Sequence, residues 1–188
     1  MRLVLVMDEY IDIVDKNGQL TGENCLKSYA HKTGLYHNTV HVWLYTKNGD
    51  ILLQQRSFKK EICPGLWDVS AAGHVDSGEL LEEAAIRETY EELGLKLTKK
   101  DLKKIGVFLK EQQYANGITD NEFHHTFIAP LEIPLDQLTY DSYEVENIKL
   151  ISTKDFLDKL DMSTTNNHFI DSNKPYYLKV LEAIKNQF

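Results

Sequence analysis

The run Gly73-His74-Val75-Asp76-Ser77-Gly78-Glu79, continued by Arg87-Glu88-Thr89-Tyr90-Glu91-Glu92-Leu93-Gly94-Leu95, constrains this chain more than any other stretch. It reads as a glycine loop that feeds a helix. The helix is expected to start near Ser77 to Glu79, with Asp76 or Ser77 capping its free N–H groups. Leu81, Ala84, Ala85 and Leu93 make its buried side, and Gly94 suits the left-handed residue that ends a helix. On such a helix Glu88, Glu91 and Glu92 fall at i, i+3 and i+4 and project as neighbours. Three crowded carboxylates repel one another unless a cation sits among them. Hard oxygen ligands of this kind suit Mg²⁺ or Mn²⁺ better than zinc, and Mg²⁺ is usually shared between a few carboxylates and the phosphates of a substrate. A solvated acidic helix face is the alternative, but it requires neither the two glycines nor the arginine at these offsets.

The rest of the chain alternates strands and turns around that helix. Tyr10 to Asp15 reads as a strand, turning at Lys16-Asn17-Gly18 and returning through Gln19 to Thr21. Cys25 to Lys32 reads as a short helix ending at Gly34. Thr39 to Thr46 is a strong strand, with Val40, Val42 and Leu44 on one face and His41, Trp43 and Tyr45 on the other. Asn48-Gly49 turns it into a returning strand over Ile51 to Arg56. Pro64-Gly65 breaks the chain, and Leu66 to Ser70 is a further short strand. Ile105 to Tyr114 and Asn121 to Pro130 read as strands joined through Asn116-Gly117, and Tyr143 to Ile151 as a strand or loop. Asp155 to Leu160 and Tyr176 to Gln187 read as helices, with Pro175 in the first turn of the latter. Strands before and after one central helix give an α+β class, an α/β/α sandwich. The expected organisation is one domain over 1–188, with an N-terminal hairpin extension over about 1–36 and C-terminal helices over about 154–188.

Composition bounds the partners. The net charge of -8 argues against nonspecific binding to nucleic acid or to an anionic membrane. It does not argue against a polyphosphate substrate, because a metal ion and a few local bases can invert the field at one site. Leu3 to Met7 is apolar but too short for a signal sequence or a span, and no other stretch reaches membrane length. Cys25 and Cys63 are the only two cysteines and read as reduced thiols, which places the protein in the cytoplasm.

The loop and helix together resemble the Nudix box: a glycine, five residues, Glu, seven residues, Arg-Glu, an aliphatic and a free position, Glu-Glu, a free position, Gly and an aliphatic residue. Gly73, Glu79, Arg87, Glu88, Glu91, Glu92, Gly94 and Leu95 all match, and Thr89 stands at an aliphatic position. The resemblance implies a mixed sheet with the box helix beside it and hydrolysis of a small-molecule diphosphate with Mg²⁺ or Mn²⁺. Glu88, Glu91 and Glu92 are assigned as metal ligands, with the Gly73 carbonyl as a further ligand that the resemblance implies. Glu91, Glu92 and Arg87 are then catalytic, Arg87 by orienting carboxylates through bidentate hydrogen bonds. Glu79 ties the loop to the helix, and Gly78 and Gly94 are structural. Glu122, in Asp120-Asn121-Glu122, is the candidate general base from outside the box, against the alternative that these acids merely solubilise a loop. Both a monomer and a homodimer stay open.

A second resemblance covers roughly residues 9 to 130. Ala30-His31, Gly34-Leu35, His37, Leu52-Leu53-Gln54-Gln55-Arg56-Ser57, Lys60, Pro64-Gly65-Leu66-Trp67-Asp68 and Gly73-His74 are similar to the isopentenyl-diphosphate isomerase side of the superfamily. Those isomerases use a cysteine just before the Gly-His step, a distal glutamate and a histidine-rich metal site, and their box is degraded. Here the cysteine position is Ala72, which can neither donate nor accept a proton, whereas the positions of the isomerase acids hold Asp120 and Glu122. His31, His37 and His74 fall near the isomerase metal positions, the first two offset by about one residue. They either line the substrate pocket, hold a second metal, or are hydrogen-bonded structural histidines. An intact box beside a broken proton shuttle favours a hydrolase of a nucleoside diphosphate-X or other organic diphosphate in an isomerase-like branch; the alternatives are an isopentenyl-diphosphate isomerase-like enzyme and a nonenzymatic protein that senses a nucleotide. Arg56, Lys59 and Lys60 are the basic cluster before the box, and Arg56 and Lys60 are assigned to the outer phosphates against a solvated loop. The proline associated with ADP-ribose hydrolases would fall near Glu111 and is absent, so the group attached to the diphosphate is not read from the box.

Overall fold

The computed structural model describes residues 8–166 and 174–188, without the side chains of 163–166; the apolar start at 3–7 lies outside them. The longest-range organiser is β3 (His37–Tyr45), a nine-residue strand that is paired on both edges. On one edge it runs parallel to β8 (Thr119–Pro130), from His37 opposite Glu122 to Tyr45 opposite Pro130. On the other it pairs antiparallel with β6 (Ala71–His74), then hands over at Tyr45 to β4 (Ile51–Arg56). β8 turns back into β7 (Lys103–Gln113), while β4 is flanked by the short β5 (Trp67–Asp68) and by β9 (Val145–Ile151). An N-terminal hairpin of β1 (Tyr10–Val14) and β2 (Leu20–Leu26) joins β3 at Ile13 and His37. The nine strands among the described residues form one mixed sheet of the α+β class.

The alternation of β3 explains the layers. Val40, Val42 and Leu44 are fully buried with Leu52, Ala84, Ala85 and Leu93, so this face is covered by α2 (Leu81–Leu93). Trp43 points the other way, with Ile51, Leu53 and Ile128, and packs on α3 (Thr153–Asn166) through Phe156 and on α4 (Lys174–Lys185) through Tyr176 and Tyr177. Burying side chains of this size is worth about 1.5–3 kcal/mol each, which is why the period of two fixes the sheet's orientation. A shorter helix, α1 (Lys27–Thr33), ends on Gly34 at φ 70° and lays Ala30 against Ile11 and Ile13. No helix among the described residues is long and apolar enough to cross a membrane.

Several boundaries differ from the sequence reading. The hairpin return extends to Leu26, so α1 begins two residues later than Cys25. The stretch read as one strand over Leu66 to Ser70 is two, β5 and β6, with Val69 and Ser70 between them. The box helix begins at Leu81 with no side-chain cap. Asp76 and Ser77 lie too far ahead of that start to cap it, and the Ser77 hydroxyl is used elsewhere, donating to Asp12 Oδ1 at 2.6 Å, while the Glu79 carboxylate turns back to accept the Asp76 backbone N–H at 3.1 Å. Glu79 therefore precedes the helix rather than opening it.

Candidate functional site

Strand β6 organises the site because its alternate residues serve opposite faces. Ala71 and Gly73 face α2; Ala72 and His74 face the side covered by α3 and α4. On the α2 side Glu88 lies directly against Gly73: a Cβ there would stand 2.0 Å from the Glu88 carboxyl carbon. The glycine of the motif is therefore required by the acid that packs on it, not by its backbone angles.

Arg87 is the centre of the box. Its Nε and Nη2 donate to the two oxygens of Glu79 at 2.9 and 2.8 Å, a bidentate pair. Nη1 donates to Glu88 at 2.8 Å and to Glu91 at 3.3 Å, and Nη2 also donates to the His74 carbonyl at 2.9 Å. One guanidinium thus joins the loop, the strand end and two of the three helix acids. Burial alone would raise the Glu79 carboxyl, but the Arg87 hydrogen bonds hold it below its usual range. Glu92 is buried and turned from Arg87; its Oε2 accepts the Ala72 backbone N–H at 3.0 Å and Gln54 Nε2 at 2.9 Å. Burial raises Glu88 to about 7, partly offset by Arg87, and burial together with the charge of Glu88 raises Glu92 to about 8. Two buried carboxyls held this far up are what an oxygen-loving divalent cation would bring back to the ionised form. Their chemistry fits Mg²⁺ or Mn²⁺, with Glu91 as the exposed third acid at 57% side-chain exposure.

The loop into the helix is latched from outside the box. Asp12 on β1 accepts the Ser77 hydroxyl and, through Oδ2, the Gly78 N–H at 2.9 Å. Asn24 on β2 donates to Ser77 Oγ at 3.0 Å, and the Ser77 N–H donates to the Tyr10 carbonyl at 2.8 Å. Gly78 takes φ 80° at this latch, and Gly94 ends α2 at φ 66°. A Cβ on Gly94 would meet Thr139 Oγ1 at 2.2 Å, so both glycines sit where the fold demands them.

The opposite face holds a second cluster. His31 from α1, His37 from β3, His74 from β6 and Glu122 from β8 bring ligand atoms within 4.8 Å of one another. Among the described residues this set converges; Glu88, Glu91 and Glu92 do not form such a group. His31 Nε2 and His74 Nε2 are 3.1 Å apart, and Glu122 Oε1 lies 3.6 Å from His37, 3.7 Å from His74 and 4.0 Å from His31. At 3.6 Å His37 Nε2 is beyond hydrogen-bond reach, so this buried nitrogen has no partner, and neither has Asp120 Oδ1 beside it. Burial and the neighbouring His37 lower His31 to about 4, and burial holds His74 well below the usual imidazole range. Burial opposes charge on His37 too, but Glu122 overrides it and raises His37. Glu122 itself is pushed up by burial and pulled well down by His124, whose Nε2 is 2.8 Å from Oε2, and by His37. Two imidazoles that burial keeps neutral, His31 and His74, and a third, His37, drawn toward charge by the Glu122 carboxylate, with orphaned buried atoms among them, form a donor set that a transition-metal ion would complete.

The remaining candidates are scattered around these two centres. Arg56 is tied to the Ile62 carbonyl at 3.1 Å and lies 3.5 Å from Asp68. Lys60 pairs with Glu144. His125 points away from the Glu122 face, to Asn38 Oδ1 at 2.9 Å. Asp12 and Lys27 were not singled out from the sequence; Gln54 entered only within the isomerase-like stretch, and of His124-His125, adjacent on a strand and so facing opposite sides, His124 is the one that reaches Glu122. Lys27 is close enough to both centres for its charge to act on Asp76, His31 and His74. Gln54, a polar residue in the apolar strand β4 and only 3% exposed, carried a readable signal; Asp12 carried none.

With this geometry in place, residues 35–172 match the NUDIX domain. Nudix hydrolase 3 of Arabidopsis thaliana is 37% identical over 153 residues, which cover 79% of this chain and 20% of that protein. The chain therefore spans about a fifth of that relative's length. Isopentenyl-diphosphate Delta-isomerase 2 of Photorhabdus laumondii is 28% identical over 181 residues, 96% of this chain and 95% of that protein. The crystal structure of a Deinococcus radiodurans protein superposes with a TM-score of 0.67 at 18% identity, covering 95% of this chain and 98% of that one, a likeness of fold.

Proposed function

The chain belongs to the NUDIX domain family, and from that premise we propose that it is a hydrolase that cleaves the pyrophosphate bond of a nucleoside diphosphate-X or another organic diphosphate with Mg²⁺ or Mn²⁺. The observation that carries this reading is Arg87, which gathers Glu79, Glu88 and Glu91 while Glu88 packs on Gly73. Glu88, Glu91, Glu92 and the Gly73 carbonyl would hold the ion, which when bound neutralises charge on the phosphate oxygens and supplies an acidified water. Arg87 fixes the carboxylates against their mutual repulsion. Gln54 and the Ala72 N–H keep Glu92 turned toward the end of β6. Glu122, ionised and held by His124, is the candidate base, and Lys27, Arg56 and Lys60, which sit against Glu9, Asp68 and Glu144, are the cations that outer phosphate oxygens would draw from those acids. Two free cysteines and an acidic balance suit a reducing compartment such as the cytoplasm, with neither nucleic acid nor a membrane as partner.

Isomerisation of an alkenyl diphosphate is the second reading, favoured by the convergence of His31, His37, His74 and Glu122. It is opposed by Ala72, which stands on the same strand face as His74 and carries no proton. A screen of organic diphosphates with Mg²⁺ and with Mn²⁺, reading released phosphate products, separates the two. Hydrolysis of at least one compound is expected, and allylic isomer formed from isopentenyl diphosphate without hydrolysis of any would reverse the order.

A further inference from the structure

Beside Ala72 lies a group of side chains that neither metal cluster uses. His41 is the register partner of Ala72 across the β3–β6 pair, so their Cβ atoms stand about 4.5–5.5 Å apart on one face. The His41 ring stacks on that of His124, with centroids 4.0 Å apart and planes 29° off parallel, and His124 in turn contacts Glu122. The pair therefore extends the floor that begins at the histidine cluster. His41 and Ala72 are both half-buried rather than sealed in, and a side chain larger than alanine at 72 would cover more of the ring.

The imidazole is oriented from behind. Tyr176, on α4, places its hydroxyl 2.7 Å from His41 Nδ1 and 2.8 Å from Trp43 Nε1. An indole N–H can only donate, so the phenol oxygen accepts from Trp43. Of the two acceptors within its reach, His41 Nδ1 at 2.7 Å and the Thr126 hydroxyl, the imidazole nitrogen is the more basic, so the phenol proton goes to Nδ1, which is then the unprotonated nitrogen. In the opposite tautomer two N–H groups would point at one phenol oxygen, and the proton of this buried tyrosine would turn to the Thr126 hydroxyl, the weaker acceptor. The other polar neighbour, Thr126, directs its own hydroxyl to the His124 carbonyl at 3.3 Å. Burial and the nearby His124 keep the ring neutral. The proton of a neutral ring with a bare Nδ1 sits on Nε2. That nitrogen has no hydrogen-bond partner among the described residues, and it is not among the buried orphan atoms, so it is open to an incoming group.

We infer that His41 presents a fixed Nε2–H donor to the organic part of the substrate, so that this chain selects diphosphates whose organic group carries an oxygen or nitrogen acceptor over purely hydrocarbon ones. The inference rests on the diphosphate reading above and narrows it. A hydrocarbon group laid over the floor would strip water from the donor without replacing the hydrogen bond, and a site of that kind rejects the ligand that leaves it unpaired.

Two measurements test it. Nitrogen chemical shifts of the wild-type imidazoles, read by long-range proton–nitrogen correlation, are expected to show His41 neutral and protonated on Nε2; protonation on Nδ1 overturns the inference. The second compares ADP with isopentenyl diphosphate, which carry the same diphosphate on a polar and a hydrocarbon group. In the wild type kcat/KM should favour ADP, and His41→Phe, which keeps a ring to stack on His124, should shrink that preference by about three- to tenfold, the worth of one neutral hydrogen bond. Tyr176→Phe should shrink it less, by freeing the tautomer. A preference unchanged in a folded His41→Phe protein overturns the inference. If the wild type hydrolyses neither compound, the hydrolase reading has lost its support from these two substrates, and the same ratio taken from dissociation constants decides the role of His41 alone.

Discussion

Glu88 occupies the space that a side chain on Gly73 would need, its carboxyl carbon 2.0 Å from where the Cβ would stand. Strand β6 and helix α2 thus meet through an acid on one and a missing methyl group on the other. The clash falls on the end of a flexible side chain, so the fold can survive a methyl group there while the acid cannot keep its place. Gly73→Ala is expected to cost about 1–3 kcal/mol of stability, as overpacking does. Hydrolysis should fall by roughly 100-fold or more, as displacing a catalytic group by about 1 Å does. Thermal melts beside steady-state kinetics check this; full activity in a folded variant would show that Glu88 is free to move.

The raised carboxyls predict an unusual pH profile for the protein stripped of metal by a chelator. A carboxyl held above its unfolded value binds protons more tightly when folded, so stability falls as pH rises toward its folded pKa. Glu88 and Glu92 span the window from the ordinary carboxylate range up to about 7 and about 8. The depressed histidines His31, His41, His74 and His125 act in the opposite sense, but only up to the unfolded imidazole value. Between about pH 6.5 and 8 the carboxyls should dominate, joined by His37, whose raised pKa acts in the same direction, and stability should decline. Glu92→Gln should flatten that decline in urea titrations and lower kcat by orders of magnitude, while Mg²⁺ should suppress the decline in the wild type. A profile that is level in the chelated wild type would contradict the assigned environment of Glu92.

A transition-metal ion should bind the histidine face independently of the box. His37 contributes a buried nitrogen without a partner, so His37→Ala removes a ligand without adding a clash. Calorimetric titration with Mn²⁺ or Zn²⁺ should show one tight event in the wild type that weakens by roughly 100-fold or more in the variant, since changes even outside the ligand shell cost 10–100-fold. Equal affinity in the two proteins would make the histidines structural.

The latch on the box loop has its own signature. Asp12→Ala removes the acceptor of both Ser77 Oγ and the Gly78 N–H. Loss of hydrogen bonds worth about 1 kcal/mol each should raise amide exchange at Gly78 about fivefold or more while α2 stays protected. Exchange that rises equally along α2 would mean that Asp12 supports the whole helix rather than the loop.

Much of this molecule could be read in advance because the signals were local. The spacing of Gly73, Glu79, Arg87, Glu88, Glu91 and Glu92 identified the family, and the alternation Val40, Val42, Leu44 against Trp43 assigned the two faces of β3. The start of the helix was misplaced because Ser77 looks like a cap by residue type, yet spends its hydroxyl on Asp12. That competition is set by a hairpin more than 60 residues earlier in the chain, which no local window contains. The same holds for the second cluster. A period of two puts His74 and Gly73 on opposite faces, but the meeting of His31, His37 and Glu122 on one of them depends on how α1, β3 and β8 pack.

The alternation along β6 has a consequence for how such enzymes diversify. Four consecutive residues act as a partition: Gly73 answers to the acids of the box, and Ala72 and His74 to the imidazoles behind it. A substitution at 72 can remove or restore a proton carrier without disturbing the seat of Glu88, and a change at 73 can damage that seat while the imidazoles stay in place. The seat of the box acids and the chemistry of the imidazole face can therefore be altered separately on one strand.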